Sequence, residues 1–314
     1  MPRVAAIDCG TNSIRLLVAD VTEREDGTSW LRDVHREQRV VRLGQGVDAT
    51  GRLNPEALER TRVALVDYTA ILRRKGAESV RMVATSATRD AVNRDDFFDM
   101  TEAVLGVPAE VISGDEEATL SFTGAVGDLD PSAGPFLVVD VGGGSTELVL
   151  GTWDGVRATP KAARSTDIGC VRITERCLRS DPPTADEIAA ADRLAEQVLA
   201  EAFEVVPVAE ARTWIGVAGT ATTLGGIALE LPEYDSDAIH LSRVPKERIG
   251  ELSRLLLGMD HDARAAMPVI HPGRVDVIGG GALIFEVLAR HLPGIAELTI
   301  SEHDILDGIA LSQL

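Results

Sequence analysis

The sequence predicts an α/β chain of two similar lobes, and three observations carry that prediction. Residues 139–150, Val139-Asp140-Val141-Gly142-Gly143-Gly144-Ser145-Thr146-Glu147-Leu148-Val149-Leu150, read as an apolar strand, a glycine-rich turn and a returning strand. A shift of 132 positions lays Ile7-Asp8-Cys9-Gly10-Thr11-Asn12-Ser13-Ile14-Arg15-Leu16-Leu17-Val18 on that stretch, with identities at Asp8/Asp140, Gly10/Gly142, Ser13/Ser145 and Leu16/Leu148. After each hairpin a β-rich run gives way to alternating helix and strand. The economical reading is two lobes, 1–126 and 127–314, each offering a phosphate-binding hairpin to a shared cleft. Two unrelated glycine-containing hairpins are the alternative.

The elements follow in order. Residues 3–9 and 14–20 form the first hairpin, with further strands over 28–34 and 38–43. Apolar residues from Ala57 to Leu72 recur near helical spacing, Asn54-Pro55 supplies the cap and first position, and Gly76 ends the helix. A strand over 79–84 leads into the polar turn 85–90 and a helix around 94–105. A strand over 107–113 precedes Gly114-Asp115-Glu116-Glu117, which opens a helix to about Val126. The boundary segment 127–134 is rich in Gly, Asp, Pro and Ser. The pattern then restarts with strands 136–141 and 146–151 and short strands near 156–160 and 164–169. A long helix over 185–203, a strand over 212–218, helices near 245–257 and 274–291 and a strand over 295–300 complete the second lobe. The last helix, 303–314, is counted with it, a return onto the first lobe being the alternative.

Composition narrows the function. The 314 residues carry a net charge of −19, which argues against nucleic acid and anionic membranes as partners, since both ask for a basic face. A polyanionic ligand remains compatible if local Arg residues and a divalent cation invert the field, because exposed charges are screened beyond about 8 Å. Lysine occurs only at Lys75, Lys161 and Lys246, so Arg supplies the positive contacts, with a planar fork suited to phosphate. Cys9, Cys170 and Cys177 are too scattered for a disulfide framework, and no signal peptide or membrane span is evident. The expected location is the cytoplasm. The six His residues show no paired spacing, so zinc chemistry is not expected.

Asp8 and Asp140 each end a strand at the lip of a glycine turn, where a carboxylate can hold Mg²⁺ directly or through water. A turn-capping Asp is the structural alternative. Glu147 lies on the side of Ser145 by strand alternation and is a candidate to reach the metal; a solvent-facing strand Glu is its alternative. Residues 142–145 (Gly142, Gly143, Gly144, Ser145) and Asn12-Ser13 can present amides and hydroxyls to phosphate. Glu116 and Glu117 stabilise a helix start, and one of them can face the cleft and act on water while the other faces solvent. Arg89, in a hydroxyl-rich turn, is the best placed Arg for an anion, with Arg15 and Arg42 as further candidates and Arg172 and Arg274 weaker ones. Gly216 to Gly226 and Gly279-Gly280-Gly281 shape a ligand or allow close helix packing.

Five ordered motifs then match a known pattern. These are residues 7–13, Ala84-Thr85-Ser86-Ala87-Thr88-Arg89, Ile112-Ser113-Gly114-Asp115-Glu116-Glu117-Ala118, residues 139–148 and Gly216-Val217-Ala218-Gly219-Thr220. They resemble the exopolyphosphatase and guanosine pentaphosphate phosphohydrolase family over essentially the whole chain. The resemblance implies two RNase H-like lobes of the actin, sugar-kinase and heat-shock chaperone ATPase superfamily. It also implies hydrolysis of the terminal phosphoanhydride of inorganic polyphosphate with Mg²⁺ or Mn²⁺. It makes Glu117 the water-activating residue, Arg89 a phosphate contact, Asp140 metal-associated and Glu147 its acidic partner. Cys9 stands where the family commonly has Leu. The chain runs only to Leu314, without the C-terminal helical domain of longer members, so short chains are the expected substrates. The alternatives are hydrolysis of guanosine pentaphosphate to the tetraphosphate in the stringent response, a sugar or acetate kinase, and a non-catalytic polyphosphate or alarmone sensor. A homodimer is expected for this branch.

Overall fold

Strand β1 (Arg3–Cys9) sends alternate side chains to opposite faces of its sheet, and each face meets different helices. Ala5, Ile7 and Cys9 pack with the helix Pro55–Lys75, through Leu65, Tyr68 and Leu72, and with Phe97 of the helix Arg94–Leu105. Val4 and Ala6 pack instead with Leu120 of the helix Gly114–Val126 and with Leu306 and Ile309 of the helix Ile305–Leu311. Asp8 continues this second series. The sheet is completed by β2 (Ser13–Glu23), β3 (Ser29–Val40), β4 (Ser79–Ala84) and β5 (Glu110–Val111), in the order β3-β2-β1-β4-β5. The three-strand meander is antiparallel, and β4 and β5 add parallel to β1.

The computed structural model describes residues 1–23 and 27–314. They form two units: Met1–Gly127 with Asp154–Ala158 and Asp304–Leu314, and Asp128–Trp153 with Thr159–His303. The helix Ile305–Leu311 is therefore part of the first unit, which the chain re-enters at Asp304. In the second unit β6 (Phe136–Val141), β7 (Thr146–Trp153) and β8 (Ala158–Thr166) form the meander. The parallel strand β9 (Thr213–Val217) follows, then β10 (Arg243–Pro245) and β11 (Glu297–Ile300), in the order β10-β11-β9-β6-β7-β8. Read outward from β1 and from β6, both sheets run meander, then parallel strands reached through helices. Each unit thus carries the same RNase H-like plan, with β10 as an added edge in the second.

Four readings of the sequence change. The expected strands over 28–34 and 38–43 are one strand, β3, because β2 pairs with it from Glu23↔Ser29 to Ser13↔Val40 and a register shift at Val18/Ala19 absorbs the twist. The polar run His35-Arg36-Glu37 between them lies on an edge strand, which exposes one side, and Arg36 reaches Asp307 with its guanidinium. Likewise 156–160 and 164–169 are the single strand β8. The polar turn 85–90 contains a short helix, Ser86–Asp90, and the helix expected from 274 begins at Ile278, after a tight turn over Pro272–Arg274.

Two glycines set the packing of the last helix. A Cβ on Gly124 would lie 1.8 Å from the Asp304 carbonyl oxygen, and one on Gly308 would lie 2.0 Å from that of Leu120. Backbone meets backbone there, so neither site can yield by a rotamer change. Gly308→Val is expected to destabilise the protein by about 3 kcal/mol, at the upper end of overpacking effects. Urea unfolding checks it, and a midpoint equal to the wild type would show that the helix does not dock as described.

Candidate functional site

The turn after β6 gains its shape from the chain behind it. The amide of Cys170 donates to the Gly142 carbonyl, and those of Val171 and Arg172 donate to the Gly143 carbonyl, at 2.9–3.1 Å. These three residues are the first turn of the helix Cys170–Cys177, whose preceding Gly169 leaves no room for a side chain: a Cβ would stand 2.5 Å from Gly143 C and O. In a trans peptide N–H points opposite to C=O. Tethering the Gly142 and Gly143 carbonyls to the helix therefore turns the amides of Gly143 and Gly144 to the other side. Among the described residues neither amide, nor that of Ser145, has a protein acceptor, while the Gly142 amide closes the turn on the Ser145 carbonyl. The result is a nest of donors for an anion.

The first unit repeats the device with different parts. The Gly10 amide closes on the Ser13 carbonyl at 2.9 Å. The Thr11 carbonyl accepts from the Gly44 amide, and the Asn12 carbonyl from the amides of Val41 and Arg42. Here the tether is the loop after β3, and the same planarity turns the amides of Asn12 and Ser13 the other way. Arg42 thus contributes its backbone to the turn. The Thr11 hydroxyl meets that of Ser86 at 2.8 Å, which joins this turn to the short helix that carries Arg89.

The internal repeat differs where charge is concerned. In the second unit Asp140 pairs in register with Glu147, so two carboxylates, 7% and 1% exposed, share one face of the hairpin. Glu147 accepts from the Ser165 hydroxyl at 2.7 Å. Like charges directly opposite are unfavourable, and a divalent cation relieves them, so this donor set fits Mg²⁺. In the first unit the residue in register with Asp8 is Arg15. Its Nε and Nη2 both donate to Asp8 Oδ2, at 2.9 and 2.7 Å, and its Nη1 pairs with Asp304. Arg15, read as a candidate phosphate contact, is committed to these carboxylates. Asp8 Oδ1 is buried without a hydrogen-bond partner, and burial pushes the carboxyl up from its ordinary value against the pull of Arg15. An orphaned oxygen at the lip of the turn fits a cation or its water.

Glu116 and Glu117 separate as one helical step requires. Ser113 caps the helix Gly114–Val126 by accepting from the Glu116 amide, and the Glu116 carboxylate pairs outward with Arg81 at 2.8 Å. Glu117 is 8% exposed, with Oε2 3.1 Å from Arg89 Nη1. The same Nη1 donates to the Ile112 carbonyl at 3.0 Å. These two contacts use one nitrogen of the fork, and among the described residues Nε and Nη2 of Arg89 have no protein acceptor. One guanidinium can thus fix Glu117 and still meet phosphate.

Other candidates have structural tasks. The Gly279-Gly280-Gly281 run packs its helix on Leu257, on Thr174 and Ile173, and on Thr220. A Cβ on Gly219 would meet the Arg274 guanidinium at 2.1–2.3 Å, the far end of a side chain that can shift. Arg172 is buried and pairs with Asp167 at 3.2 Å. Burial pushes the Cys170 thiol up to about 11, and Cys9 is buried in β1, so neither is a thiolate nucleophile. Dispersed in sequence and unforeseen, His240 and His303 meet at Asp128, whose carboxyl their hydrogen bonds hold well below the usual range. The Glu302 amide donates to His240 Nδ1, which leaves the proton of the neutral ring on Nε2, facing Asp128. That ring faces the Asp128 carboxylate through Nε2 at 3.4 Å. Among the described residues no helix is long and apolar enough to cross a membrane.

The chain is 59% identical to Exopolyphosphatase 2 of Mycobacterium tuberculosis, over 99% of this chain and 98% of that one. The crystal structure of an exopolyphosphatase-like protein superposes with a TM-score of 0.92 at 44% identity, over 99% of this chain and 97% of that one. That of the Aquifex aeolicus member of the Ppx/GppA protein family gives 0.80 at 29%, with the same coverage. The sequence pattern of the Ppx/GppA phosphatase family matches residues 18–314. With its glycine turns, its buried acids and a relative this similar along its full length, the chain belongs to the Ppx/GppA phosphatase family.

Proposed function

We propose that the protein is a Mg²⁺-dependent exopolyphosphatase of the cytoplasm, which hydrolyses the terminal phosphoanhydride of inorganic polyphosphate, releases orthophosphate and prefers short chains. The observation that carries the reading is the pair of turns whose carbonyls are tied back and whose amides face outward. Polyphosphate is a chain of identical anionic units, and repeated amide nests bind such units without reading anything else. The name of the M. tuberculosis relative supports the same substrate.

Asp140 and Glu147 of the second unit would hold Mg²⁺, which would neutralise charge on phosphate oxygens, and in the first unit Asp8 Oδ1 is a further carboxylate oxygen suited to a cation. The chain's own residues do the rest. Amides of Gly143, Gly144, Asn12 and Ser13 fix phosphoryl oxygens, and the remaining nitrogens of Arg89 offset charge on the phosphate under attack. Glu117 accepts a proton from water as the water oxygen bonds to the terminal phosphorus. The bridging oxygen leaves with the shortened chain.

The test is phosphate release from short polyphosphate, long polyphosphate, guanosine pentaphosphate and ATP, run side by side with Mg²⁺ and with EDTA. Release is expected fastest from short polyphosphate and lost with EDTA. Guanosine pentaphosphate as the best substrate would move the assignment to the alarmone, turnover in EDTA would remove the metal, and release from none would indicate a sensor.

A further inference from the structure

We infer that Asp304 is a positioning residue for Asp8, acting through Arg15, so that the start of the last helix sets how the first phosphate turn presents its carboxylate to a cation. The inference rests on the proposed function, in which Asp8 serves Mg²⁺.

Asp8 and Arg15 are register partners on β1 and β2, and both nitrogens that Arg15 gives to Asp8 converge on Oδ2. A symmetrical fork would occupy one oxygen with each nitrogen. This pair instead loads one oxygen and leaves Oδ1, buried, with no partner. The arrangement needs Arg15 held off the symmetrical position, and its third nitrogen, Nη1, is held by Asp304 Oδ2. Asp304 is itself fixed on three sides. Its Oδ1 accepts from the Leu306 amide at 3.0 Å, its amide donates to Asp307 Oδ2 at 3.0 Å, and its carbonyl lies against Gly124. Asp307 is in turn clamped by Arg36, with Nη2 2.5 Å from Oδ1. One rigid line of charges therefore runs from β3 through the start of the last helix to Asp8.

Charge points the same way as geometry. Asp8 and Asp304 share one guanidinium, so the three groups keep a net negative charge beside the turn. Without Asp304 more of the Arg15 charge falls on Asp8, and the site loses attraction for a cation as well as the alignment of Oδ1. Residues that orient a metal-binding carboxylate typically matter about 10-fold to 100-fold in metal affinity.

Calorimetric titration of the full chain with MgCl₂, without substrate, tests the inference. Asp304→Asn removes the charge but keeps an oxygen to cap the Leu306 amide, and is expected to weaken Mg²⁺ about tenfold with little change in the unfolding midpoint. Arg15→Lys keeps the charge but cannot fork, and is expected to weaken Mg²⁺ to a similar degree. This second variant decides the matter if Asp304→Asn does not fold. Asp307→Asn, which loosens the hold on Asp304 but leaves Arg15 on Asp8, should lower stability and weaken Mg²⁺ less than Asp304→Asn does. Asp8→Asn separates the two levels. If it loses Mg²⁺ affinity while Asp304→Asn and Arg15→Lys bind like the wild type, Asp304 has no positioning role and the proposed site stands. If Asp8→Asn itself binds Mg²⁺ normally, Asp8 does not serve the metal and the inference falls with that assignment.

Discussion

Glu117→Gln is expected to lower kcat on short polyphosphate by about 10³-fold, within the range that a positioned general base contributes, while polyphosphate binding changes little. The substitution is nearly isosteric. Glutamine keeps an oxygen to accept from Arg89 Nη1, and Nη1 keeps its bond to the Ile112 carbonyl, so the guanidinium stays where it can meet phosphate. What disappears is the ability to take a proton from water. Single-turnover phosphate release and equilibrium binding of the same chain separate the two effects. Normal turnover would remove Glu117 from the mechanism, and loss of both turnover and binding would show that its charge holds Arg89 in place instead of acting on water. Glu116→Gln is the control, since its carboxylate is spent on Arg81 at the exposed face; it should leave turnover unchanged.

The contrast between these neighbours was legible in the sequence only as an alternative, because adjacent helical residues diverge by about 100° but nothing local says which one turns inward. Asp140 and Glu147 were legible as separate candidates. Their pairing follows from the register of β6 and β7, which the tight turn between them fixes. The 132-residue shift that aligns the two turns also lays Arg15 on Glu147, so the repeat already contained the charge reversal, yet a motif comparison weighs matches and passes over the informative mismatch. Arg15 therefore looked like a phosphate contact when its partners were Asp8 and Asp304. The start of the last helix was illegible for a different reason. Asp304 lies 289 residues from Arg15, and no spacing rule reaches across that distance. The same holds for His240 and His303, which only the fold brings to Asp128. The polar middle of β3, residues 35–37, also escaped detection: it is held by its pairing with β2 and not by its own propensity.

Gly169→Ala is expected to lower kcat/KM by at least about 100-fold, the effect of removing one preorganised donor from a developing oxyanion. A methyl at position 169 would sit 2.5 Å from the Gly143 carbonyl carbon and oxygen and 2.7 Å from the Gly142 oxygen. All three are backbone atoms, so either the turn rotates or the helix Cys170–Cys177 backs away. Both movements stretch the bonds from Cys170, Val171 and Arg172 that hold the two carbonyls, and the peptide planes that aim the Gly143 and Gly144 amides lose their anchor. The cost in stability should be about 1–3 kcal/mol, as for other overpacked sites. The β6–β7 hairpin keeps its own ladder, so the variant should fold. Gly258→Ala, where a Cβ meets nothing within 4 Å, serves as the control and should be neutral in both readouts. Inhibition by inorganic phosphate gives a second measure: its constant should rise for Gly169→Ala in step with the lost turnover, because the same amides hold substrate and product. Wild-type kinetics for Gly169→Ala, in a protein whose unfolding midpoint has moved, would mean that the tethered carbonyls stabilise the second unit without aiming its amides at phosphate. The triple glycine would then be a packing device, and the nest in the first unit would have to carry phosphate recognition.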